Sequence, residues 1–302
     1  MNLLETASGL ALRYLNEQQV AGLRAGYLDL RKKLHPLMRT VYGTFDSNAL
    51  RAHLEERIGR DFEILMVHSS VNHMKPMFGD SPLDLVRMLI DFCGPERTLA
   101  MPAFYFGDPA IGGAFATFQQ RPRFDLRRTP SQMGLATELF RRMPGVLQSR
   151  HPVYRISALG PLAGELTRGH EHAVGPAGRG SPFDFMAARR TRIIGIGKPI
   201  QVITQVHHAE QIMGDEFPGP GHWGERLAMT LVDGKEELPF ELNPGRIPDG
   251  EIDVWKLQHI MKPETLHQWA FHHVPMFSTT ADAVTMQLTD AARRGSTLYD
   301  RS

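Results

Sequence analysis

The residues best suited to acid–base chemistry in this sequence are two adjacent histidines and a glutamate in one predicted helix. His207 and His208 lie within residues 203–213, where the apolar spacing predicts a helix, and Glu210 follows three residues after His207. Adjacent helical residues point about 100° apart, whereas residues three apart share a face. One small site can therefore use only one of the two histidines, and Glu210 is placed to hold the ring of His207.

This His-x-x-Glu pair has three interpretations: a solvated pair on a helix surface, two ligands of a metal ion, or a base oriented by a carboxylate. A zinc-protease helix carries His-Glu-x-x-His, which is absent here, and no recognisable motif places a third ligand. No metal is therefore expected. A metal-dependent hydrolase built on His207, Glu210 and His222 stays open as a competing hypothesis.

Other motifs that carry chemistry are incomplete. Gly195 and Gly197 punctuate an apolar strand that begins at Arg192, but a dinucleotide loop needs a third glycine where Ile200 stands. We interpret the two glycines as a tight exit from the strand. Neither a Gly-x-Ser-x-Gly elbow nor a phosphate loop occurs, and the single cysteine, Cys93, sits near the end of an apolar helical stretch, which is typical of a buried thiol.

The bulk composition is that of an ordinary globular enzyme. The chain has 302 residues with 42% hydrophobic side chains, and 34 basic against 33 acidic residues leave a net charge of +1. Such a balance provides no global field for nucleic acid or an anionic membrane. The longest apolar runs fall short of the ~20 residues that span a bilayer, and the N-terminus lacks the order of a secretory signal. We expect a cytoplasmic protein whose partners include neither nucleic acid nor membrane.

The predicted elements divide the chain into a helical extension, residues 1–58, and a main domain, residues 59–302. The extension could pack on the main domain or on a second copy of the chain, so the sequence allows a homodimer. In the main domain, predicted strands at 62–68, 98–104 and 192–196 alternate with helices opened by Ser81-Pro82, Thr129-Pro130 and Ser181-Pro182. This alternation predicts an α/β sheet covered on both faces.

The pattern changes after residue 217. Apolar stretches at 227–232 and 237–242 flank Asp233-Gly234, the strongest hairpin signal in the chain. A helix near 255–260, a strand at 274–277 and a helix from about 280 to 294 complete the prediction. An antiparallel hairpin in the C-terminal part is therefore expected to join the sheet.

A series of short strings lies between residues 62 and 214. The strings are Val67-His68-Ser69-Ser70, Met101-Pro102-Ala103-Phe104, Phe124-Asp125, Thr129-Pro130-Ser131-Gln132-Met133-Gly134, His151-Pro152, Ala158-Leu159-Gly160, Gly180-Ser181-Pro182, Gly195-Ile196-Gly197 and His207-His208-Ala209-Glu210. Each string is weak alone, but their order and approximate spacing resemble those of one family, the aminoglycoside 3-N-acetyltransferases, also called antibiotic N-acetyltransferases.

The resemblance implies a central mixed sheet flanked by helices and an N-acyltransferase that uses acetyl-coenzyme A or another acyl-coenzyme A. It also implies that His207 is the general base and that His208, at the variable position, is a packing residue. In the family a carboxylate beyond this histidine orients it, and the match here is Glu241 on the second hairpin strand, with Glu210 as the competing partner.

The same resemblance implies a coenzyme A channel. Small hydroxyl residues and a helix start suit the amides and phosphates of this co-substrate. The channel residues carried over are His68, Ser69, Ser70, Arg128, Thr129, Ser131, Met133 and Gly134.

The sequence departs from the family in two places that concern the acceptor. Tyr154-Arg155 stands where antibiotic-modifying members usually carry His-Ser, so these two residues are the candidates for contacting the acceptor. The segment after Phe217 lacks the strongly acidic look that a polycationic aminoglycoside would require. The acceptor is therefore an amino sugar, either aminoglycoside-like or carried on a nucleotide, or another biosynthetic amine, and the acyl group could exceed acetyl.

The residue types fit direct transfer. A protonated amine must lose a proton to attack a thioester, and imidazole titrates in the range that this requires. A carboxylate behind the ring fixes its tautomer and stabilises the imidazolium. A non-catalytic scaffold that keeps this fold and binds a partner through its extension is a further hypothesis.

Overall fold

The computed structural model describes residues 33–299, which fall into two units divided between Thr44 and Phe45. In the smaller unit the described residues form one helix, α1 (His35–Tyr42), with Pro36 in its first turn and no buried residue. The helices predicted farther upstream lie outside the described residues. The helix that follows Asp46 belongs to the larger unit, because Leu50 and Leu54 are completely buried there.

The larger unit contains the remaining helices and all the strands of the described chain. Asp46 caps the first of these helices by accepting a hydrogen bond from the Ala49 amide at 2.8 Å. The helices are α2 (Ser47–Ile58), α3 (Val71–Met74), α4 (Pro82–Cys93), α5 (Ala114–Gln120), α6 (Leu135–Phe140), α7 (Ala163–Thr167), α8 (Pro182–Ala187), α9 (Val206–Met213), α10 (Leu257–Ile260) and α11 (Ala281–Arg293). The strands are β1 (Ile64–Ser69), β2 (Thr98–Pro102), β3 (Arg123–Asp125), β4 (Leu147–Gln148), β5 (Ile156–Leu159), β6 (Thr191–Ile196), β7 (Gly221–Trp223), β8 (Leu227–Asp233), β9 (Glu236–Leu242), β10 (Arg246–Pro248), β11 (His267–Phe271) and β12 (Val274–Thr280).

A seven-stranded mixed sheet forms the centre, in the order β11-β12-β6-β1-β2-β5-β4. Strand β1 runs parallel to both β6 and β2, whereas β12 and β5 join antiparallel on either side. Parallel strands end at the same edge, and Ser69 of β1 lies opposite Ile196 of β6. The residues after these strands therefore meet at one edge, where ligands commonly bind in open α/β sheets.

Helices cover both faces of this sheet, as the alternation of elements predicts. The large hydrophobic cluster on one face joins strand residues such as Met66 and Ile193 to Phe183 of α8, Val206 of α9 and Val284 of α11. On the opposite face α4 packs with α2 and α6. The α/β prediction with a central mixed sheet is confirmed.

The predicted hairpin is also confirmed: β8 and β9 pair antiparallel around Gly234, which adopts a φ of 66°. Strand β3 pairs parallel to β8, so the hairpin forms a separate three-stranded sheet. Its apolar side packs in a second cluster with Phe118, Phe124 and Tyr105. The hairpin therefore does not join the central sheet as predicted; the strands of the C-terminal part that join it are β12 and, outside it, β11.

One predicted helix is much shorter than expected. The Thr129-Pro130 signal predicts a helix that continues to Met143, but α6 begins only at Leu135. The Thr129 carbonyl accepts a hydrogen bond from Arg155 at 3.1 Å instead of a helical amide, and Gly134 has a φ of 109°. Residues 129–134 therefore form a non-helical segment.

The exit from β6 is as tight as its two glycines predict. A Cβ atom at Gly195 would lie 2.0 Å from the Phe277 ring, and one at Gly197 would lie 2.7 Å from the Ser70 carbonyl oxygen. Gly197 also has a φ of 69°, a conformation that favours glycine. Ser69 and Ser70, at the end of β1, form a turn that we call the serine turn. These close approaches bring the serine turn into contact with the chain after β6.

Substituting Gly195 with alanine is expected to lower the free energy of unfolding by about 1 to 3 kcal/mol, because the added methyl group would force the Phe277 ring to move. Gly164 is the matched control: it lies inside α7 with negative φ, and an added Cβ meets nothing within 4 Å. Gly164→Ala is expected to be neutral or stabilising by up to about 1 kcal/mol. Urea denaturation measures both variants, and equal stabilities would contradict the packing described here.

No helix among residues 33–299 combines the length and apolar character that crossing a membrane requires. The Cys93 side chain is buried at the end of α4, as predicted, and burial raises the pKa of its thiol to about 12.

Candidate functional site

The structure brings His207 and Glu210 together on α9. The His207 Nδ1 atom lies 2.7 Å from Glu210 Oε1, with side-chain exposures of 26% for the histidine and 10% for the glutamate. A carboxylate accepts, so Nδ1 carries the proton and Nε2 keeps its lone pair. The ring is thus oriented by a nearly buried carboxylate and still reaches the surface.

His208 has the structural role that its position predicts. Its side chain is buried, and its Nδ1 atom donates to the Ala177 carbonyl at 2.6 Å. Burial lowers the pKa of this imidazole, which favours the neutral form. Of the two adjacent histidines, only His207 is partly exposed.

An aromatic stack stands beside the His207 ring. The Tyr154 and His207 ring centroids are 5.4 Å apart, and Tyr154 stacks on Phe104 at 4.5 Å with nearly parallel planes. The His151 Nδ1 atom fixes the backbone here by accepting from the amides of Val153 and Tyr154 at 3.2 and 3.0 Å. Tyr154, predicted to contact the acceptor, is therefore held against the candidate base.

The serine turn lies at the edge of the central sheet where β1 and β6 end. The Ser70 amide donates to the Ile196 carbonyl at 2.9 Å, which joins the turn to the end of β6. Ser69 is buried and its hydroxyl has no hydrogen-bond partner, and both ring nitrogens of the buried His68 are likewise unpartnered. These buried polar groups at the end of β1 lack partners in the described structure, which is unusual for polar atoms in a protein interior.

The segment 129–134 reaches this turn. A Cβ atom at Gly134 would come within 3.8 Å of the Ser69 carbonyl oxygen. The segment is held by internal bonds: the Ser131 amide donates to Glu138 at 2.7 Å, and the Met133 amide donates to the Ser131 hydroxyl at 3.1 Å. The structure thus joins the serine turn to the segment predicted to form the other side of the channel.

Two predicted site residues, both arginines, lie in other surroundings. Arg155 is completely buried, and its guanidinium donates to the carbonyls of Ala103, Leu126 and Thr129, so it contacts backbone where contact with the acceptor was predicted. Arg128 projects into solvent with its side chain 91% exposed, 3.8 Å from Asp125. Neither arginine is placed against the serine turn by any contact in the described structure.

Glu241, the predicted orienting carboxylate, does not contact His207 in this structure. It lies on β9 with its side chain 57% exposed, and it accepts from Arg226 at 2.8 Å. The physical reason is the alternation of β9: the neighbouring residues Phe240 and Leu242 point into the second cluster, which turns Glu241 outward. The carboxylate on His207 is that of Glu210.

A tyrosine that sequence reasoning missed completes the polar contacts of Glu210. The Tyr299 hydroxyl donates to Glu210 Oε2 at 2.5 Å. No local spacing could have indicated this contact, because the two residues are 89 positions apart. A third partner of the His-x-x-Glu pair can therefore be identified only from the three-dimensional structure.

The metal hypothesis finds no matching arrangement in the described residues. His222 is exposed and pairs with Asp249 at 3.3 Å, apart from Glu210. No group of three or more His, Cys, Asp or Glu side chains within residues 33–299 is arranged to hold a metal ion.

Two buried histidines near the aromatic stack make stability depend on pH. His170 stacks on His151 at 4.6 Å, donates from Nε2 to the Pro176 carbonyl, and receives the Ser149 hydroxyl at Nδ1. Burial lowers the pKa of His170 to about 4 and that of His151 well below its usual value. Both side chains are neutral in the folded protein at neutral pH.

The free energy of unfolding is therefore expected to fall as the pH drops below about 6.5. In that range His170 binds a proton in the unfolded chain but stays neutral in the folded protein. The slope is ~1.4 kcal/mol per pH unit for each such group, down to its folded pKa. His170→Gln removes one such group, so the variant should lose less stability than the wild type between pH 7 and pH 5. Urea titrations at both pH values measure the difference, and parallel losses would contradict the burial of a neutral His170.

Comparison with known proteins agrees with this geometry. The family model described as aminoglycoside 3-N-acetyltransferase matches residues 66–286. An aminoglycoside N(3)-acetyltransferase III from Salmonella sp is 30% identical over 189 residues, which cover 57% of this chain and 65% of the relative. The corresponding enzyme from Serratia marcescens is 30% identical over 207 residues, 66% of this chain and 69% of the relative.

The matched region does not extend over the full length of these relatives. Aminoglycoside N(3)-acetyltransferase IX from Micromonospora chalcea, 27% identical over 51% of this chain, is covered over 57% of its own length. The chain thus spans less than two thirds of the Salmonella and Micromonospora relatives.

Solved structures show the same fold. The crystal structure of aminoglycoside acetyltransferase AAC(3)-Xa superposes with a TM-score of 0.69 at 20% identity, covering 87% of this chain and 99% of that one. The structure described as AAC-IIIb binary with CoASH also gives 0.69, at 21% identity, covering 85% and 99%. Because the family model matches residues 66–286, well over half of the sequence, this chain belongs to the aminoglycoside 3-N-acetyltransferase family.

Proposed function

We propose that this protein transfers an acetyl group from acetyl-coenzyme A to an amine of an aminoglycoside-like amino sugar, with His207 as the general base. The observation that carries the proposal is the His207–Glu210 contact of 2.7 Å on a partly exposed ring. In the described structure the buried histidines His68, His151, His170 and His208 lack this access.

In the proposed reaction His207 Nε2 takes the proton that the amine nitrogen loses as it attacks the thioester carbonyl. The new carbon–nitrogen bond forms, the carbon–sulfur bond breaks, and the imidazolium gives its proton to the departing sulfur, so that coenzyme A leaves as the thiol and His207 is neutral again. Glu210 stabilises the imidazolium that forms, and no protein nucleophile is needed. The proposed role of Tyr154 is to form one wall of the acceptor site beside the base.

The residues proposed to hold the co-substrate fit its chemistry. The pantetheine arm carries amides that need hydrogen-bond partners, and the unpartnered Ser69 hydroxyl offers one at the end of β1. Gly134 lies next to the serine turn, so both predicted walls of the co-substrate site are on adjacent segments. One of the structures of similar fold, AAC-IIIb, is described as a binary complex with CoASH, which supports this assignment.

An acceptor rich in amines is favoured over a nucleotide-linked one. Arg155, the arginine considered for a phosphate, is buried and saturated by carbonyl groups.

A coupled assay tests the proposal. Thiol release from acetyl-coenzyme A is measured with sisomicin, gentamicin, apramycin, glucosamine and a nucleotide-linked amino sugar, and mass spectrometry identifies the acetylated product. We expect turnover with at least one aminoglycoside. Absence of turnover with every amine, together with absence of coenzyme A binding by calorimetry, would refute the acyltransferase function, whereas turnover of the nucleotide-linked sugar alone would refute the acceptor class.

A further inference from the structure

Glu210 has a second partner besides the candidate base. Its Oε1 atom receives His207 Nδ1 at 2.7 Å, and its Oε2 atom receives the Tyr299 hydroxyl at 2.5 Å. Each carboxylate oxygen therefore has one donor. A carboxylate bonded at both oxygens has little freedom to rotate away from the ring that it orients.

The C-terminal segment holds Tyr299 in this position by several contacts. Its ring packs edge-to-face on Phe217 with centroids 6.0 Å apart, in a small apolar cluster with Met213 and Ala292. Its carbonyl accepts from Lys256 Nζ at 3.2 Å, and its backbone bridges to Ile252. The packing of the C-terminal segment thus places the Tyr299 hydroxyl beside Glu210.

The titratable groups that face Glu210 are His207 on its own helix, Tyr299 from the C-terminal segment, and Tyr154 from the loop before β5. Burial, followed by the charge of Glu210, raises the pKa of Tyr299, so its hydroxyl stays protonated and donates. Tyr154 is also kept protonated, because burial and then Glu210 raise its pKa. Within this group the carboxylate carries the negative charge.

We propose that Tyr299 is a positioning residue for the base: its hydroxyl locks the Glu210 carboxylate in the orientation that holds His207 Nδ1–H and aims Nε2 at the acceptor amine. The proposal rests on the function proposed above for His207. Tyr299 lies outside residues 66–286, the part that the family model matches, so that match does not itself supply this donor.

The Tyr299→Phe variant tests the proposal, because it keeps the ring that packs on Phe217 and removes only the hydroxyl. Tyr42→Phe on α1 is the matched control. The titration of the His207 ring, followed by NMR of the nitrogen-labelled protein, is expected to move to higher pH by about half a unit or more in Tyr299→Phe, since a carboxylate deprived of one donor holds the imidazolium proton more tightly. In the same variant kcat should fall about tenfold, with the KM for acetyl-coenzyme A unchanged.

The ring titration decides between the proposals. An unchanged titration in Tyr299→Phe, with a melting temperature equal to that of the wild type, would overturn the role of Tyr299 whether or not the wild type transfers acetyl groups. If the wild type transfers no acetyl group but the ring titration still shifts in Tyr299→Phe, the Tyr299–Glu210–His207 contacts would be supported and only the proposed function would be refuted.

Discussion

Replacing His207 with alanine is expected to lower kcat for acetyl transfer by about 10² to 10⁴-fold, the range that a general base commonly contributes. The ring is 26% exposed, and among the described residues its side-chain polar contact is with Glu210, so the fold should tolerate its loss. Steady-state kinetics and a thermal unfolding scan of the same preparation measure the two quantities. A large loss of rate at an unchanged melting temperature is the expected result.

His222→Ala is the matched control for this substitution. His222 is also a histidine paired with a carboxylate, but its partner is Asp249 and its side chain is 65% exposed. We expect wild-type kinetics from this variant. If it instead matched the loss in His207→Ala, the hydrolase hypothesis that groups these two histidines with Glu210 would be supported over a single imidazole base.

Replacing Glu210 with glutamine is expected to lower kcat by about 10²-fold. The amide cannot stabilise the imidazolium by charge, and its NH₂ group can donate to Nδ1, which favours the wrong tautomer of the ring. The side chain of Glu210 is 10% exposed, so solvent cannot replace the lost charge fully. Kinetics at saturating acetyl-coenzyme A separate this effect from weaker binding of the co-substrate.

Glu241→Gln provides the comparison that decides which carboxylate orients the base. Its exposed ion pair with Arg226 contributes little to stability, and we expect rates within about twofold of wild type. A severe loss in Glu241→Gln with a mild effect in Glu210→Gln would mean that the β9 carboxylate moves to His207 when substrates bind.

The parts of the site that could be predicted from the sequence are those fixed by local spacing. His207 and Glu210 are three residues apart on a helix, so their contact follows from helical geometry alone. The hairpin around Gly234 follows in the same way from a two-residue turn signal. Gly195 and Gly197 at the end of β6 likewise indicated a tight exit, which the close approaches to Phe277 and Ser70 explain.

The parts that could not be predicted depend on contacts between distant segments. The charge of Arg155 suggested a ligand, but the fold uses its guanidinium to bind carbonyl groups from two other segments. That use of the Thr129 carbonyl also removed an expected helical hydrogen bond, so the predicted helix starts late. Tyr299 reaches Glu210 only after the C-terminal segment has packed on Phe217, which no periodicity in the sequence encodes.

The most direct test of the role of His207 is the dependence of kcat/KM on pH in the wild type and in His207→Ala, with one acceptor amine. The wild-type rate is expected to show a titration step on the acid side, where it falls as the base becomes protonated. The much smaller residual rate of the variant should lack this step and rise steadily with hydroxide concentration over the whole range. A variant that keeps both the wild-type rate and the same acid-side fall would contradict the assignment of His207 as the base.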